Sequence, residues 1–195
     1  MLFRSPLFTN INFKLNAQNR VGLVGRNGSG KSTLFKIILG EESYDSGEVI
    51  IPKGYKIGAL RQHLEFTQDT ITKEVSLALD QEEQYDIYRV EKILFGLGFS
   101  KDDLQKSPHS FSGGYQIRLN LAKLLISKPN LLLLDEPTNY LDLPSLRWLR
   151  TFLKNFEGEV IIITHDRDFM DSVTTHTMGI VRKNLFILEG NSQKF

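Results

Sequence analysis

Strand-like and helix-like stretches alternate through the second half of the 195-residue chain, which predicts an α/β fold with a parallel sheet. Three observations carry that prediction. Residues 131–135 and 160–164 form continuous apolar runs, as expected of strands buried on both faces of a parallel sheet. Residues 111–128, before the first run, and 144–156, between the two, place their apolar side chains at helical spacing. Near the start, residues 20–24 read as a short buried strand that runs directly into a glycine-rich loop and then an apolar helix.

Taken in order, residues 7–15 alternate at their end and predict a strand leading to Arg20. Residues 34–39 continue the first helix, which Gly40 stops. Ser46-Gly47 predicts a turn, with strands at 48–51 and 55–60 joined around Pro52 and Gly54. From Arg61 the character changes and polar residues accumulate to about Tyr85. Ile87, Val90, Leu94 and Leu97 then recur at helical spacing. A small helical subdomain over about residues 65–110 is therefore expected, beside a core of about 1–64 and 111–195 within a single domain. In the helix at 111–128, Ile117, Leu121, Leu124 and Leu125 form the apolar face, with Arg118, Lys123 and Lys128 elsewhere. Pro129 and Asn130 break it. Leu146, Leu149, Phe152, Leu153 and Phe156 give the helix at 144–156 its inner side, and strands at about 178–181 and 185–188 close the domain.

The totals are those of a globular protein, with 41% hydrophobic and 24% charged residues. A net charge of +1 gives no case for a nucleic-acid or membrane surface. With no cysteine there are no disulfides and no thiolate metal sites. The longest apolar runs are a few residues, too short to span a bilayer, and the N-terminus lacks a signal-peptide pattern. A soluble, cytoplasmic protein is the expectation.

Gly25-Arg26-Asn27-Gly28-Ser29-Gly30-Lys31-Ser32-Thr33 fits G-x-x-x-x-G-K-[ST], a loop that leaves a strand and opens a helix. Its glycines let backbone N–H groups approach an anion, and the helix N-terminus adds partial positive charge. Lys31 should reach the β- and γ-phosphates of ATP, and Ser32 should offer its hydroxyl to Mg²⁺. Asp135, at the end of the apolar strand, can hold Mg²⁺ through its water shell, and Glu136 can orient or deprotonate a water. Ser112-Gly113-Gly114 starts a second amphipathic helix and makes a second anion site. One nucleotide has little use for two such sites on one chain. Two facing chains would use both.

Taken together, these motifs resemble the ATP-binding cassette of ABC proteins over nearly the whole chain. The phosphate loop, the signature at Phe111 to Gln116, Asp135-Glu136-Pro137-Thr138 and the switch histidine at Thr164-His165-Asp166 occur in family order. Gln62 resembles the glutamine that contacts Mg²⁺ and the lytic water, and Leu141-Asp142 the loop that communicates with the opposite site. The resemblance implies a P-loop NTPase core with a mostly parallel sheet, an antiparallel β subdomain and a small helical subdomain. It also implies Mg-dependent ATP hydrolysis, with a second cassette as partner, either on a longer chain or in a homodimer.

Asn139-Tyr140-Leu141-Asp142, His165-Asp166-Arg167-Asp168-Phe169, Glu189-Gly190-Asn191 and Arg118-Leu119-Asn120-Leu121-Ala122 resemble the ABC-F class. These are soluble two-cassette proteins, many of which bind ribosomes, so the chain resembles a first cassette. Between Gln62 and Ser112 lie 49 residues, without room for the long helical arm that some members insert. Tyr115 stands where most transporters have Gln, and Phe3 is the best candidate for the ring against adenine. His63, His109 and His176 lack partners at ligand spacing and read as surface or structural residues. Arg147, Arg150 and Lys154 share a helix face, and Arg182-Lys183 occupy a late turn. These cations read as solvated, with RNA phosphates as the alternative. The nucleotide-binding subunit of a membrane transporter, and a switch module that hardly hydrolyses, are the rival readings of the whole.

Overall fold

The computed structural model describes residues 6–60, 65–83 and 85–192. Along the chain its regular elements are β1 (Arg20–Gly25), α1 (Lys31–Ile38), β2 (Ile57–Ala59), α2 (Ile71–Ser76) and α3 (Ile87–Gly96). They continue with α4 (Gly113–Ile126), β3 (Leu131–Asp135), α5 (Leu143–Lys154), β4 (Glu159–Ile163), α6 (Arg167–Val173), β5 (His176–Val181) and β6 (Asn184–Glu189). The sheet order is β2-β3-β4-β1-β5-β6. The chain divides into two units. The first comprises residues 1–57, 130–136 and 157–195, and the second comprises 58–129 and 137–156.

In the first unit β1 is central, parallel to β4 on one side and to β5 on the other. β3 adds to β4 in parallel, with Leu131 to Leu134 all buried, and the residues Val160 to Ile163 of β4 are buried as well. Such strands have helices or chain over both faces, so continuous apolar runs serve where alternation would not. α6 is capped by Asp166, whose carboxylate accepts the N–H of Phe169 at 2.8 Å. It packs on β1 at Gly22, where a Cβ would lie 2.5 Å from Met170 Sδ.

β5 and β6 form a hairpin in register from His176↔Glu189 to Val181↔Asn184. The two closing strands expected at about 178–181 and 185–188 are thus present, and they pair antiparallel. The hairpin's two-residue turn, Arg182 at φ 49° and Lys183 at φ 70°, has the left-handed backbone that the twist of a tight hairpin demands.

Two expected strands are absent. Residues 7–15 and 48–51 are irregular. Alternation supplies side chains for two faces, but a strand exists only against a partner edge, and neither segment is paired in the sheet. Ile50 is 80% exposed, so residues 48–51 bury no face either.

The second unit is helical. Thr70 caps α2 through the N–H of Lys73, Asp86 caps α3 through that of Arg89, and Asp142 caps α5 through that of Ser145. Helices α2, α3 and α4 pack mutually, and α5 packs on α3 with the Trp148 indole against Gly96. A Cβ at Gly96 would fall inside that ring, so the glycine is required by the close approach. Arg118, predicted off the apolar face of α4, is buried instead, and Glu74 on α2 is fully buried.

Candidate functional site

Three neighbouring parallel strands of the first unit deliver chemistry at their C-terminal ends. β1 ends in the phosphate loop, β3 in Asp135 followed by Glu136, and β4 runs into Thr164 and His165. From β1 the chain crosses to β3 and β4 on one side, and after β4 it crosses to β5 on the other. Ligands of open α/β sheets bind at such a reversal, outside the carboxyl ends of the strands.

The loop fits a phosphate chain. α1 has no side-chain cap, because its N-cap is Gly30 at φ 99° and ψ 12°. The N–H groups of Lys31, Ser32 and Thr33 therefore have no intrahelical acceptor and face an approaching anion. Gly28 sits at φ 76°, and a Cβ there would meet nothing within 4 Å, so its backbone face is open. Ser29 Oγ is buried without a hydrogen-bond partner. Lys31 Nζ donates to the carbonyl oxygens of Gly25 at 2.8 Å and Arg26 at 3.3 Å, which holds the ammonium over the loop.

Beside the loop, the Ser32 hydroxyl donates to Asp135 Oδ2 at 2.9 Å. Two hard oxygen donors thus converge where the terminal phosphates of a bound nucleotide would bring others. Among the described residues no cluster of three or more His, Cys, Asp or Glu could hold a metal. One alcohol and one carboxylate, completed by phosphate oxygens and water, is the donor set that suits Mg²⁺.

Glu136 has φ 49°, a backbone state that costs a non-glycine residue free energy. Its N–H donates to the Ile163 carbonyl at 2.8 Å, tying the strained residue to the end of β4. Its carboxylate accepts the His165 N–H at 3.3 Å and lies 3.5 Å from His165 Nε2. His165 is mostly exposed, so the pair faces the cleft.

Leu7, Asn27, Gly28, Gly30, Lys31, Ser32, Thr33, Asp135, Glu136, Ile163 and His165 line one pocket of about 350 Å³. A wider cleft of about 1100 Å³ shares much of that wall and adds Arg26, Arg167, Arg182 and Lys183. These cations, exposed at the rim, favour a polyanion. Sequence reasoning placed Arg182 and Lys183 in a solvated turn. The missed signal was pairing: Gly25 is in register with Ile180, so the chain leaving β5 emerges beside the phosphate loop.

The segment before β1 was also missed. Phe8 and Leu7 pack on Gly30, and the Thr9 N–H donates to the Lys183 carbonyl at 2.9 Å. A Cβ on Gly30 would lie 2.6 Å from Phe8 Cζ. Gly30→Ala should therefore cost roughly 1–2 kcal/mol of stability, from left-handed strain and that contact. This corresponds to a thermal midpoint lower by about 2–8 °C in a melting curve.

Gln62 and His63, with Phe3, lie outside the described residues. His109 packs edge-on against Phe66, and His176 Nδ1 is 2.8 Å from Thr175 Oγ1, so both have structural partners. Ser112, Gly113 and Gly114 belong to the second unit. Ser112 is the N-cap of α4, yet its hydroxyl makes no capping hydrogen bond, and Ser112 and Gly113 are exposed. Nothing lies within 4 Å of a Cβ placed on Gly113. The start of α4 thus has exposed first-turn N–H groups that no side chain caps.

Residues 8–139 match the ABC transporter family. The chain belongs to that family. It is 35% identical over 219 residues to "Probable ATP-binding protein YheS" of Escherichia coli, covering 97% of this chain and 34% of that protein. It is likewise 35% identical over 190 residues to "ATP-binding protein Uup" of Buchnera aphidicola, covering 94% of this chain and 31% of that one. The chain therefore spans about a third of the length of these curated relatives. Among solved structures, the fold is similar to the dimeric post-hydrolysis state of the ATP-binding cassette MJ0796 bound to ADP and Pi. The TM-score is 0.74 at 22% identity, over 94% of this chain and 90% of that one. The cassette family expected from the ordered motifs is the one found, and the mostly parallel sheet, antiparallel at β5 and β6 among the described residues, is shared with solved cassettes.

Proposed function

We propose that this cassette binds Mg-ATP and hydrolyses it when a second cassette closes on it head-to-tail. The observation that carries the reading is the convergence of Lys31, Ser32, Asp135, Glu136 and His165 on one cleft of the first unit. Lys31 and the N–H groups of Gly28 to Thr33 bind the triphosphate, neutralising charge that would otherwise repel an attacking oxygen. Ser32 and Asp135 hold Mg²⁺ through oxygen, and Gln62 is assigned beside it from its sequence position. The bound metal supplies Lewis acidity to the terminal phosphates. Glu136 accepts a hydrogen bond from, or a proton of, the water in line with the γ-phosphorus. The His165 N–H fixes Glu136 Oε2, Oε1 lies 3.5 Å from the exposed His165 Nε2 at the cleft, and there it takes the water while the imidazole steadies the γ-phosphate. Ser112, Gly113 and Gly114 serve the partner's ATP, which gives their uncapped helix start a ligand.

Closure on ATP and release on hydrolysis follow, because the triphosphate charge is shared across the interface. A dimeric cassette among the fold relatives supports the pairing. The partner cassette is either a second copy or a later part of a longer chain, consistent with relatives about three times this length. Those relatives, with the Asn139 and Arg167 contexts, support an ABC-F protein over a transporter subunit, and the sequence resemblance to that class is what carries the reading on to the ribosome and the cytoplasm. Among the described residues no helix is long and apolar enough to cross a membrane.

Turnover per chain, measured in Mg-ATP against protein concentration, should rise as pairs form, with molecular mass rising in parallel. A flat rate from a monodisperse monomer would sink pairing between copies and leave a later part of a longer chain as the partner. Lys31→Ala removes a charge-assisted hydrogen bond and should weaken Mg-ATP binding by about 10- to 100-fold in a titration. Co-sedimentation of the full-length protein with membranes in place of ribosomes would reverse the choice of workplace.

A further inference from the structure

Arg118 lies in the second turn of α4, buried at 7% exposure, in a helix whose first-turn N–H groups no side chain caps. Its guanidinium ties α4 to two other stretches of the second unit. Nε donates to the Tyr140 carbonyl at 2.7 Å, and Nη1 donates to the Leu97 carbonyl at 3.0 Å. Nη1 also lies 3.1 Å from Asp142 Oδ2. Asp142 is held from its other oxygen, Oδ1, by the Ser145 N–H that it caps at 2.9 Å. Arg118 Cζ lies over the Tyr115 ring, 4.5 Å from its centroid, and that ring packs edge-on against Phe99 at 5.3 Å. Gly98, at φ 88°, makes room: a Cβ there would sit 2.6 Å from Arg118 Nη1.

A buried guanidinium needs several acceptors to offset its lost hydration. Here they come from the end of α3 and from the turn that Leu141 N–H closes on the Thr138 carbonyl. Lysine could not replace this arrangement. A point ammonium cannot reach the Tyr140 carbonyl with one arm and the Leu97 and Asp142 oxygens with another while staying over a ring.

We propose that Arg118 is a positioning residue that makes the Ser112–Gly114 helix start and the 138–142 loop one mechanical piece. The inference rests on the pairing read above, in which both surfaces face the second cassette. With the clamp intact, the anion site offered to the partner's γ-phosphate and the loop offered to the partner's active site advance together. Without it, α4 still forms and its N–H groups remain, but their angle to the loop is no longer fixed. Tyr115, the departure from the usual signature glutamine, supplies the flat surface on which the guanidinium is held.

The test uses the 195-residue chain as wild type, Arg118→Lys, Asp142→Asn and the double variant. Affinity for Mg-ATP is read by titration on dilute, unpaired protein. Pairing and turnover are read at rising concentration, with thermal midpoints alongside. Arg118→Lys should lower saturating turnover and ATP-driven pairing by about 10- to 100-fold, the scale of an ångström-level misplacement. Its affinity for ATP should stay within about twofold, because the phosphate loop is untouched. Asp142→Asn should act the same way, and the double variant should be no worse than the poorer single one. If Arg118→Lys pairs and turns over like wild type, the inference fails alone. It also fails if ATP affinity, turnover and melting temperature fall in step, the pattern of general destabilisation. A wild-type chain that neither pairs nor turns over sinks pairing between copies, and the inference with it.

Discussion

Glu136→Gln is expected to lower ATP turnover by about 10²- to 10⁴-fold, the usual contribution of a positioned acid–base group. Mg-ATP binding should be nearly unchanged. The substitution is isosteric, so the amide oxygen can still accept the His165 N–H now 3.3 Å from the carboxylate. The backbone tie from Glu136 N–H to the Ile163 carbonyl is untouched. What disappears is a negative oxygen that can take a proton from water. Ser32, Asp135 and Lys31, proposed above to hold the nucleotide, are unchanged in the variant, so ATP-driven pairing should persist and outlast that of wild type. Single-turnover phosphate release and molecular mass in Mg-ATP check both parts. Wild-type turnover in the variant would remove Glu136 from the chemistry.

The same residue shows how a site is built from strain. At φ 49°, Glu136 gives up backbone free energy that a glycine would keep. A glycine there would relieve the strain and remove the carboxylate. The strand end, the Ile163 carbonyl and the His165 N–H together hold the side chain toward the cleft. This cost fits a working group better than a helix cap, because no helix begins at Glu136: α5 starts at Leu143 under its own cap, Asp142.

Much of the fold was legible because burial on both faces leaves a plain trace. The runs at 131–135 and 160–164 could only be interior strands, and the structure has them as β3 and β4 within a residue. The phosphate loop was legible because its geometry admits few residue types, above all glycine at positions 28 and 30. Strand pairing left no such trace. Residues 7–15 have the right alternation but no partner edge in the sheet, and the rim position of Arg182 and Lys183 follows from β5 lying beside β1. The clamp at Arg118 was hidden for a related reason. Periodicity put a cation at a polar position, whereas its burial depends on oxygens of Leu97, Tyr140 and Asp142, each more than 20 residues away. Helix α2 had a signal that went unused: Thr70, its N-cap, stands directly before the apolar Ile71.

Glu74→Gln should be among the most destabilising single changes in the second unit, at about 3 kcal/mol or more. Glu74 is fully buried on α2, where one oxygen accepts the N–H groups of Thr67 and Gln68, both at 2.8 Å. The other is paired with Lys123 Nζ at 2.5 Å, and that ammonium also lies 5.8 Å from the Phe66 ring centroid. Burial raises the pKa of this carboxyl, but the Lys123 hydrogen bond and the two backbone N–H groups outweigh it and hold the value below the ordinary 4.5. The sign follows. The unfolded chain takes up the proton more readily, so the cluster's stability is fully present above pH 4.5 and is lost as pH falls through the lower folded value. Glutamine keeps an oxygen for Thr67 and Gln68, but it turns an amide toward Lys123 and leaves a three-quarters-buried ammonium without its carboxylate. Denaturant unfolding at pH 7 should show the loss in full, and the gap between wild type and variant should narrow at acid pH as wild-type Glu74 protonates. A gap that stayed constant down to pH 3 would mean that side-chain shape, not charge, holds α2 against α4.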